Sequence, residues 1–153
     1  MKKILIAADH GGFTLKESLK PYLKKKGFSV KDLGAFSSAR CDYPALAYNL
    51  ARQIRQGKLK KGILICKSGI GNSIVANRVP GVRAALCNNV KVARLSREHN
   101  DSNVLVLGSI FVKLPLAKKI TAAWLKAEFQ GGRHERRLNQ IKTIERKVRG
   151  GLR

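Results

Sequence analysis

One apolar run in the chain ends on a thiol and is followed by a loop of small residues. In the stretch GILICKSGIGNS, residues 62–73, the apolar run ends at Cys66, and Gly69 and Gly71 follow closely. Glycine lets the backbone approach a ligand, and the free N–H groups at the start of a helix point toward negative charge. The loop therefore predicts a site for an anion, with Cys66 beside it.

The position of Cys66 favours a reactive thiol. Because N–H donors at a helix start stabilise a thiolate, we expect the pKa of Cys66 to lie below the free value of about 8.5. A small buried apolar side chain is the structural alternative, and it is the one we assign to Cys41 and Cys87. Three widely separated cysteines fit neither a disulfide framework nor a metal site, which favours a reducing cytoplasm.

A thiolate beside N–H donors suits either acyl transfer or proton abstraction next to a carbonyl. The donors would hold a tetrahedral oxyanion in the first reaction and an enediolate in the second. Acyl transfer also needs a histidine and a carboxylate, and the sequence offers His99 with Glu98 or Asp101. Spacing alone leaves both reactions open.

The elements that must position this loop are short strands alternating with amphipathic helices. This pattern is typical of a parallel sheet with helices on both faces, an α/β fold. The predicted strands cover residues 3–8, 28–33, 62–66, 83–87 and 103–108. One predicted helix follows the first strand and another begins near Gly71. The others cover residues 43–57, 88–99, 114–129 and 134–151.

The first helix shows the expected spacing most clearly. Leu15, Leu19 and Leu23 recur on one side, so Lys16 and its equivalents one and two turns later are predicted to face away from the core. The last helix differs, because Leu138, Ile141 and Ile144 form only a narrow apolar stripe amid charge. We expect that stripe to pack on a partner subunit.

Ligands of open parallel sheets bind at the carboxyl ends of the strands. The polar or thiol residues that follow a predicted strand are Asp9, His10, Cys66, Cys87, Asn88 and Ser109. His99 and Asn100 come just before the fifth strand, at the end of a helix.

Length and charge limit the remaining possibilities. With 153 residues the chain has room for one domain, residues 1–153, and no apolar run reaches the roughly 20 residues that cross a bilayer. The formal net charge is +23, so the protein will bind polyanions at low salt. The basic residues are spread along the chain with few aromatics between them, so we expect no membrane partner and no specific nucleic acid.

Six short motifs resemble one enzyme family across nearly the whole chain. They are DHGG at 9–12, DYP at 42–44, CKSGIGNS at 66–73, AN at 76–77, SREHND at 96–101 and GGRHERR at 131–137. Their order and spacing are similar to those of the ribose-5-phosphate isomerase B and galactose-6-phosphate isomerase family. The resemblance implies a Rossmann-like three-layer sandwich that isomerises sugar phosphates without metal or cofactor, as a homodimer or dimer of dimers with shared active sites.

The resemblance also implies a role for each site residue. Cys66 would be the base, Ser68 with the N–H groups of Gly69, Ile70 and Gly71 would hold the cis-enediolate, and His99 with Asp9 would open the sugar ring. The substrate-binding residues would be Tyr43 and Asn100 for hydroxyls, and His10, Arg133, His134 and Arg137 for phosphate, partly from the second subunit.

Lys67 departs from the family pattern, in which glycine is usual at this position. If the backbone at position 67 has positive φ, lysine destabilises the loop by on the order of 1 kcal/mol. We expect the loop to survive with modest adjustment and Lys67 to point outward or toward substrate oxygens.

The resemblance favours D-ribose 5-phosphate and D-ribulose 5-phosphate as the substrate pair. A six-carbon sugar phosphate, allose 6-phosphate or galactose 6-phosphate, is the nearer alternative, because the sequence does not show the depth of the pocket. A catalytically silent relative that binds RNA or another polyanion is the alternative from another class. The presence of Cys66, Ser68, His99 and Asp9 together argues against such a relative.

Overall fold

A computed structural model describes residues 1–57 and 59–151 of the chain. Lys58, Leu152 and Arg153, which the single-domain interpretation includes, lie outside the described residues. The strands are β1 (Lys2–Ala8), β2 (Phe28–Asp32), β3 (Gly62–Cys66), β4 (Ala84–Leu86) and β5 (Val104–Gly108). The predicted strands are confirmed, and no boundary differs by more than one residue.

All neighbouring strands pair in parallel, in the order β2-β1-β3-β5-β4. From β1 the chain first adds β2 on one side and then β3 on the other, so the strand order reverses between β1 and β3. A crevice opens at the carboxyl ends of the strands at such a reversal. Asp9 follows β1 and Cys66 ends β3, so both lie at this crevice.

The helices are α1 (Phe13–Lys25), α2 (Tyr43–Arg55), α3 (Ile70–Ala76), α4 (Val90–Asn100), α5 (Leu114–Lys126) and α6 (Arg133–Arg149). Local sequence explains several starts. Pro44 and Pro115 stand in the first turns of α2 and α5, where a missing N–H costs nothing. The side chain of Asn89 accepts a hydrogen bond from the N–H of Val92 and caps α4.

Alternate residues of the buried strands supply two cores, one on each face of the sheet. Ile63 and Ile65 of β3 face α1, α4 and α5, whereas Leu64 faces α2 and α3. This alternation follows from the two-residue period of a strand. The predicted three-layer α/β sandwich is confirmed.

Lys16 contradicts its predicted outward position. Its side chain is fully buried, and its Nζ lies 2.8 Å from a carboxylate oxygen of Asp32, at the end of β2, and 3.3 Å from Glu17. Helical spacing cannot reveal this position, because the buried charge is compensated by a residue from another element. A buried ammonium is tolerated only with such partners.

The two other cysteines differ from one another. Cys87 is buried in the core with a pKa raised to about 11 by burial, so its assignment as a small apolar side chain is confirmed. Cys41 is only half-buried, which corrects the same assignment there. It lies in the loop before α2, outside the sheet and helices that build the core.

Helix α6 extends beyond the five-stranded unit with much of its apolar side uncovered. Leu138 is buried, whereas Ile141, Ile144 and Val148 are 42%, 58% and 60% exposed. The predicted packing of this helix on a partner subunit remains a prediction. Among residues 1–57 and 59–151, none of the helices combines the length and apolar character that a membrane span requires.

Candidate active site

The crevice between β1 and β3 is an open cleft of about 380 Å³. Seven of the lining residues lie at the carboxyl ends of the strands or in the first turns of α3, and the eighth is the tyrosine that begins α2. The lining residues are Asp9, Tyr43, Cys66, Lys67, Ser68, Ile70, Gly71 and Ile74. The cleft therefore unites the thiol loop with two of the other predicted site residues, Asp9 and Tyr43.

The backbone after Cys66 folds back on the sulfur. Gly69 adopts a left-handed conformation with φ of 81°, which turns its N–H toward Cys66 Sγ at 3.2 Å. A side chain at this position would be strained and would also collide with Leu86. Beside it the N–H of Ile70 donates to the hydroxyl of Ser68 at 3.2 Å.

The pKa of Cys66 is raised, which corrects the expectation of a lowered value. Burial is the largest cause, because the side chain is almost wholly enclosed and the thiolate loses its hydration. The N–H groups of Asn72, Gly69 and Ser68 act in the opposite direction but do not outweigh burial, and the charge of Asp9 adds to the rise. The resting sulfur is a neutral thiol surrounded by donors that favour its anion.

Asp9 is buried beside this thiol and held by the backbone. Its Oδ1 accepts a hydrogen bond from the N–H of Gly12 at 3.0 Å. Gly12 is needed there because a Cβ would collide with the carbonyl of Ile65. The packing of this turn onto β3 thus fixes the carboxylate at the edge of the cleft.

Tyr43 lines the cleft, and His10 directly follows the lining residue Asp9. The Nδ1 of His10 lies 2.9 Å from the carbonyl oxygen of Cys41, which leaves the ring exposed. Tyr43 packs so closely on Gly71 that any side chain at residue 71 would collide with the phenol ring. Tyr43 can therefore contact a ligand in the cleft, and His10 is exposed beside it.

Lys67 fits the loop without strain. Among residues 1–57 and 59–151, Asp101 is the one non-glycine residue with positive φ. Lys67 is exposed, lines the cleft, and its carbonyl accepts a hydrogen bond from the N–H of Ile110 at 3.1 Å. The loop therefore needs no positive φ at position 67, and the tolerance of the site for this lysine stays a prediction.

A second cluster of predicted site residues lies at the amino ends of the strands, which we call the amino edge of the sheet; the carboxyl ends form the carboxyl edge. His99 is near the end of α4, which stops at Asn100, just before β5 starts. Its ring stacks on that of His134 with centroids 4.2 Å apart. Arg133 and Arg137 share one side of α6 at an i, i+4 spacing, and their charges reach His134.

Within one chain the two clusters stay apart. Cys66 pairs with Gly108 at the carboxyl end of β5, whereas His99 comes before the amino end of that strand. Roughly 13 Å of strand separates the two edges. A single chain therefore does not bring His99, Asn100, Arg133, His134 and Arg137 to the thiol.

The environment of His134 resists protonation. Loss of hydration lowers its pKa, and the nearby His99, Arg133 and Arg137 lower it further. A group that concentrates positive charge in this way attracts anions. The cluster is thus suited to receive a phosphate.

A family model described as Ribose/Galactose Isomerase matches residues 4–141 of the chain. The chain belongs to the ribose/galactose isomerase family. Ribose-5-phosphate isomerase B of Escherichia coli strain K12 is 47% identical over 147 residues, which cover 96% of this chain and 99% of that protein. The resemblance inferred from the six motifs is confirmed.

Solved structures of ribose-5-phosphate isomerase B share this fold. The Clostridium thermocellum protein superposes with a TM-score of 0.94 at 49% identity and covers 95% of this chain and 99% of its own. The Mycoplasma genitalium protein with bound ribulose-5-phosphate superposes with a TM-score of 0.91 at 44% identity, covering 95% of this chain and 97% of its own. The fold is therefore shared over almost the full length of this ribose/galactose isomerase family member.

Two contributors to the cleft were missed in the sequence. The N–H of Asn72 is the donor that most favours the thiolate, and Ile74 forms part of the wall. Helical geometry could have revealed both, since α3 starts at Ile70 and its first turns face the loop. In the part of this family member that the structure describes, no three His, Cys, Asp or Glu side chains are grouped as metal ligands.

Proposed function

We propose that this protein is an aldose–ketose isomerase that interconverts D-ribose 5-phosphate and D-ribulose 5-phosphate. The observation that carries the proposal is Cys66 Sγ at 3.2 Å from the N–H of Gly69, in the cleft of a ribose/galactose isomerase family member. A relative of the same fold, the Mycoplasma genitalium ribose-5-phosphate isomerase B, holds ribulose-5-phosphate. A cleft of about 380 Å³ offers room for a sugar phosphate of this size.

Cys66 acts as the base in this mechanism. Its thiolate removes the proton from C2 of the open-chain aldose, the enediolate transfers the O2 proton to O1, and the resulting thiol returns a proton to C1, so the reaction is balanced without a cofactor. The raised pKa makes the thiolate a stronger base toward a carbon-bound proton, at the cost of a smaller ionised population. The cis-enediolate formed between these steps is stabilised by Ser68 and the N–H groups of residues 69–71.

The active site is completed by a second subunit. Asp9 belongs to the cleft, whereas His99, which opens the ring with it, lies at the opposite edge of the sheet. The exposed apolar side of α6, from Ile141 to Val148, supplies a surface for the dimer contact. We therefore infer that each cleft receives its histidine cluster from the partner.

The same arrangement divides substrate binding between the two chains. Tyr43, Lys67 and His10 of one chain and Asn100 of the other contact sugar hydroxyls or phosphate. Arg133, His134 and Arg137 bind the phosphate dianion, for which two guanidiniums on one side of a helix offer forked donors. The protein forms one domain and acts in the cytoplasm as a homodimer or dimer of dimers.

The activity is tested by incubating the protein with EDTA and D-ribose 5-phosphate in D₂O. We expect formation of the ketose, with deuterium entering at C1. Allose 6-phosphate and galactose 6-phosphate are tested in parallel, and turnover confined to one of them would reassign the substrate. Absence of exchange with all three sugars would support a binding protein instead.

The shared site is tested by mixing two inactive variants, Cys66→Ala and His99→Asn. In a hybrid dimer one cleft carries both substitutions and the other carries neither, so random exchange restores about a quarter of the wild-type activity. The Cys66→Ala variant mixed with the double variant is the matched control and should stay inactive. Absence of restoration despite demonstrated subunit exchange would exclude a shared site.

A further inference from the structure

A second cleft lies at the amino edge of the sheet, opposite the thiol. It consists of two adjoining cavities of about 460 and 300 Å³, which share Lys60 and Lys61. We call it the amino-edge cleft and define it by these lysines, Lys2, Arg83 and Arg97, with Phe28 on its apolar side. Lys61 directly precedes β3 and Cys66 ends it, so roughly 16 Å of extended chain separates this cleft from the thiol.

Lys61 is the central charge of the amino-edge cleft. Within the described part of the chain, its Nζ has neither a hydrogen-bond partner nor a carboxylate in ion-pair range, and it lies 5.4 Å from the ring centre of Trp124. Burial lowers its pKa to about 8, with further lowering by Arg97 and Lys2 and weaker opposition from Asp101 and Glu128. An anion placed beside this amine would therefore relieve an existing repulsion.

Arg97 is a further cation in the wall of the amino-edge cleft. Its side chain is buried, and its Nη1 donates to Asp101 and to the carbonyl of Ser102. Its Nε has no acceptor in residues 1–57 and 59–151 and is fully enclosed, so a ligand in the cleft would contact other atoms of the guanidinium. Asp101 also pairs with Arg83, so this single carboxylate of the cleft wall is already shared by two guanidiniums.

The other half of the amino-edge cleft has a different character. Its larger cavity is walled by the half-buried Phe28, by Leu59 and by Leu125, with Lys2 and Lys3 at the rim. An aromatic ring and two leucines favour a flat apolar group. The cleft thus places an apolar wall next to a cluster of cations.

We propose that the amino-edge cleft binds a nucleotide with at least two phosphate groups, its base against Phe28 and Leu125 and its phosphates against Lys60, Lys61 and Arg97. The two cavities together have the size of a ligand site for such a molecule. A nucleotide would use both the apolar wall and the cations, whereas an inorganic anion would use only the cations. This site is separate from the catalytic cleft and does not depend on the proposed isomerase activity.

The test is a calorimetric titration of the full-length protein with ADP, pyrophosphate and AMP at physiological salt. We expect ADP to bind at least about tenfold more tightly than either pyrophosphate or AMP, because each lacks one half of the recognised chemistry. Trp124, the one tryptophan of the chain, gives a second signal through its fluorescence, since both Lys61 and Arg97 lie against its ring. Equal affinity for ADP and pyrophosphate would overturn the nucleotide assignment.

The variant Lys60→Ala/Lys61→Ala should weaken ADP binding by about tenfold or more and leave isomerase turnover unchanged. Its matched control is Lys60→Arg/Lys61→Arg, which keeps the charges and should bind ADP within about threefold of the parent. Should Lys61 prove necessary for folding, the exposed Lys60→Glu and Lys3→Glu changes test the same surface.

A second control separates this site from the catalytic phosphate cluster. Arg137→Ala should not affect ADP binding at the amino-edge cleft, whereas loss of ADP binding in that variant alone would place the nucleotide in the active site and overturn the proposal. An RNA oligonucleotide that binds through Lys60 and Lys61 more tightly than ADP does would overturn it in favour of a nucleic-acid surface.

Discussion

Each end of β3 has a buried or half-buried ionisable group, and burial shifts the two pKa values in opposite directions. At the carboxyl end the buried thiol of Cys66 has a raised pKa, and at the amino end the half-buried amine of Lys61 has a pKa lowered to about 8. Burial drives each group toward its neutral form. The neighbours then differ, because N–H groups surround the sulfur while Arg97 and Lys2 surround the amine.

This difference indicates what each end is prepared to receive. In the proposed mechanism the N–H donors at Cys66 stabilise a negative charge that develops and disappears within one reaction cycle. The cations at Lys61 instead lack a permanent anion from the chain itself. Backbone donors therefore suit a transient charge at one end, and side-chain cations suit a bound, lasting charge at the other.

Removing the sulfur has the largest expected effect and would break the comparison at the carboxyl end. Cys66→Ala should lower turnover by about a thousandfold, since a positioned base contributes on this order. Steady-state kinetics with D-ribose 5-phosphate measures it, and Cys41→Ala, outside the lining of the cleft, should stay within about twofold of the parent. A Cys66→Ala variant with the parent rate would remove the thiol from the mechanism.

Lys16 is a useful contrast to Lys61, because it is a buried amine that is paired with carboxylates of the chain, Asp32 and Glu17. For Asp32, burial alone would raise the pKa, but hydrogen bonds from Lys16, Lys20 and the N–H of Gly34 outweigh it and the net shift is downward. The carboxylate is therefore ionised at neutral pH, and its contribution to stability is lost as the pH falls through that lowered pKa.

Asp32→Asn should consequently reduce the free energy of unfolding by about 3 kcal/mol, because it leaves the Lys16 ammonium poorly compensated. Urea denaturation at pH 7 measures this loss. The double variant Lys16→Met/Asp32→Asn should recover much of it, since no buried charge is left. An unchanged midpoint for Asp32→Asn alone would show that Glu17 and the backbone suffice for Lys16.

The two ends of β3 should respond to pH in opposite directions. Below the raised pKa of Cys66, the thiolate population and the turnover should increase up to tenfold per pH unit, so the rate should still rise between pH 7.5 and 8.5. Lys61 is protonated below about pH 8, so ADP affinity should fall as the pH passes that value. The measurement is the pH dependence of kcat and of ADP affinity on the same protein. If both quantities rise or both fall with pH, the comparison is contradicted.

Lys67 is the exception at the carboxyl end, a side-chain cation among backbone donors, and its removal has the smallest expected effect. Lys67→Gln should raise KM for the sugar phosphate about threefold through lost attraction and leave kcat nearly unchanged. Lys67→Gly should behave alike, because the present backbone has no positive φ there to relieve. A hundredfold rise in turnover for Lys67→Gly would mean that the lysine obstructs the site.

Local patterns were enough to predict the sheet and the thiol loop. Apolar runs bounded by polar segments specify buried parallel strands, and the reversal of strand order then brings Asp9 and Cys66 together. What escaped prediction depends on contacts between distant residues. The burial of Lys16 requires Asp32 from the next strand, and the pKa of Cys66 depends on how completely the surrounding atoms exclude water.

The separation of the two clusters was also beyond local patterns. His99 and His134 stack although 35 positions apart, and neither their spacing nor their type reveals that they lie at the edge away from Cys66. The resemblance to a family supplied the expectation of a second subunit, whereas the residues alone supplied only an uncovered apolar stripe on α6.

With the proposed shared site, the placement of Cys66 and His99 at opposite ends of the strands makes activity depend on the protein concentration. A folded but solitary chain would then have every catalytic side chain and no working centre, so specific activity should decline on dilution while the circular dichroism spectrum stays constant. In a cell, the first molecules synthesised would be idle until enough copies accumulate to meet one another.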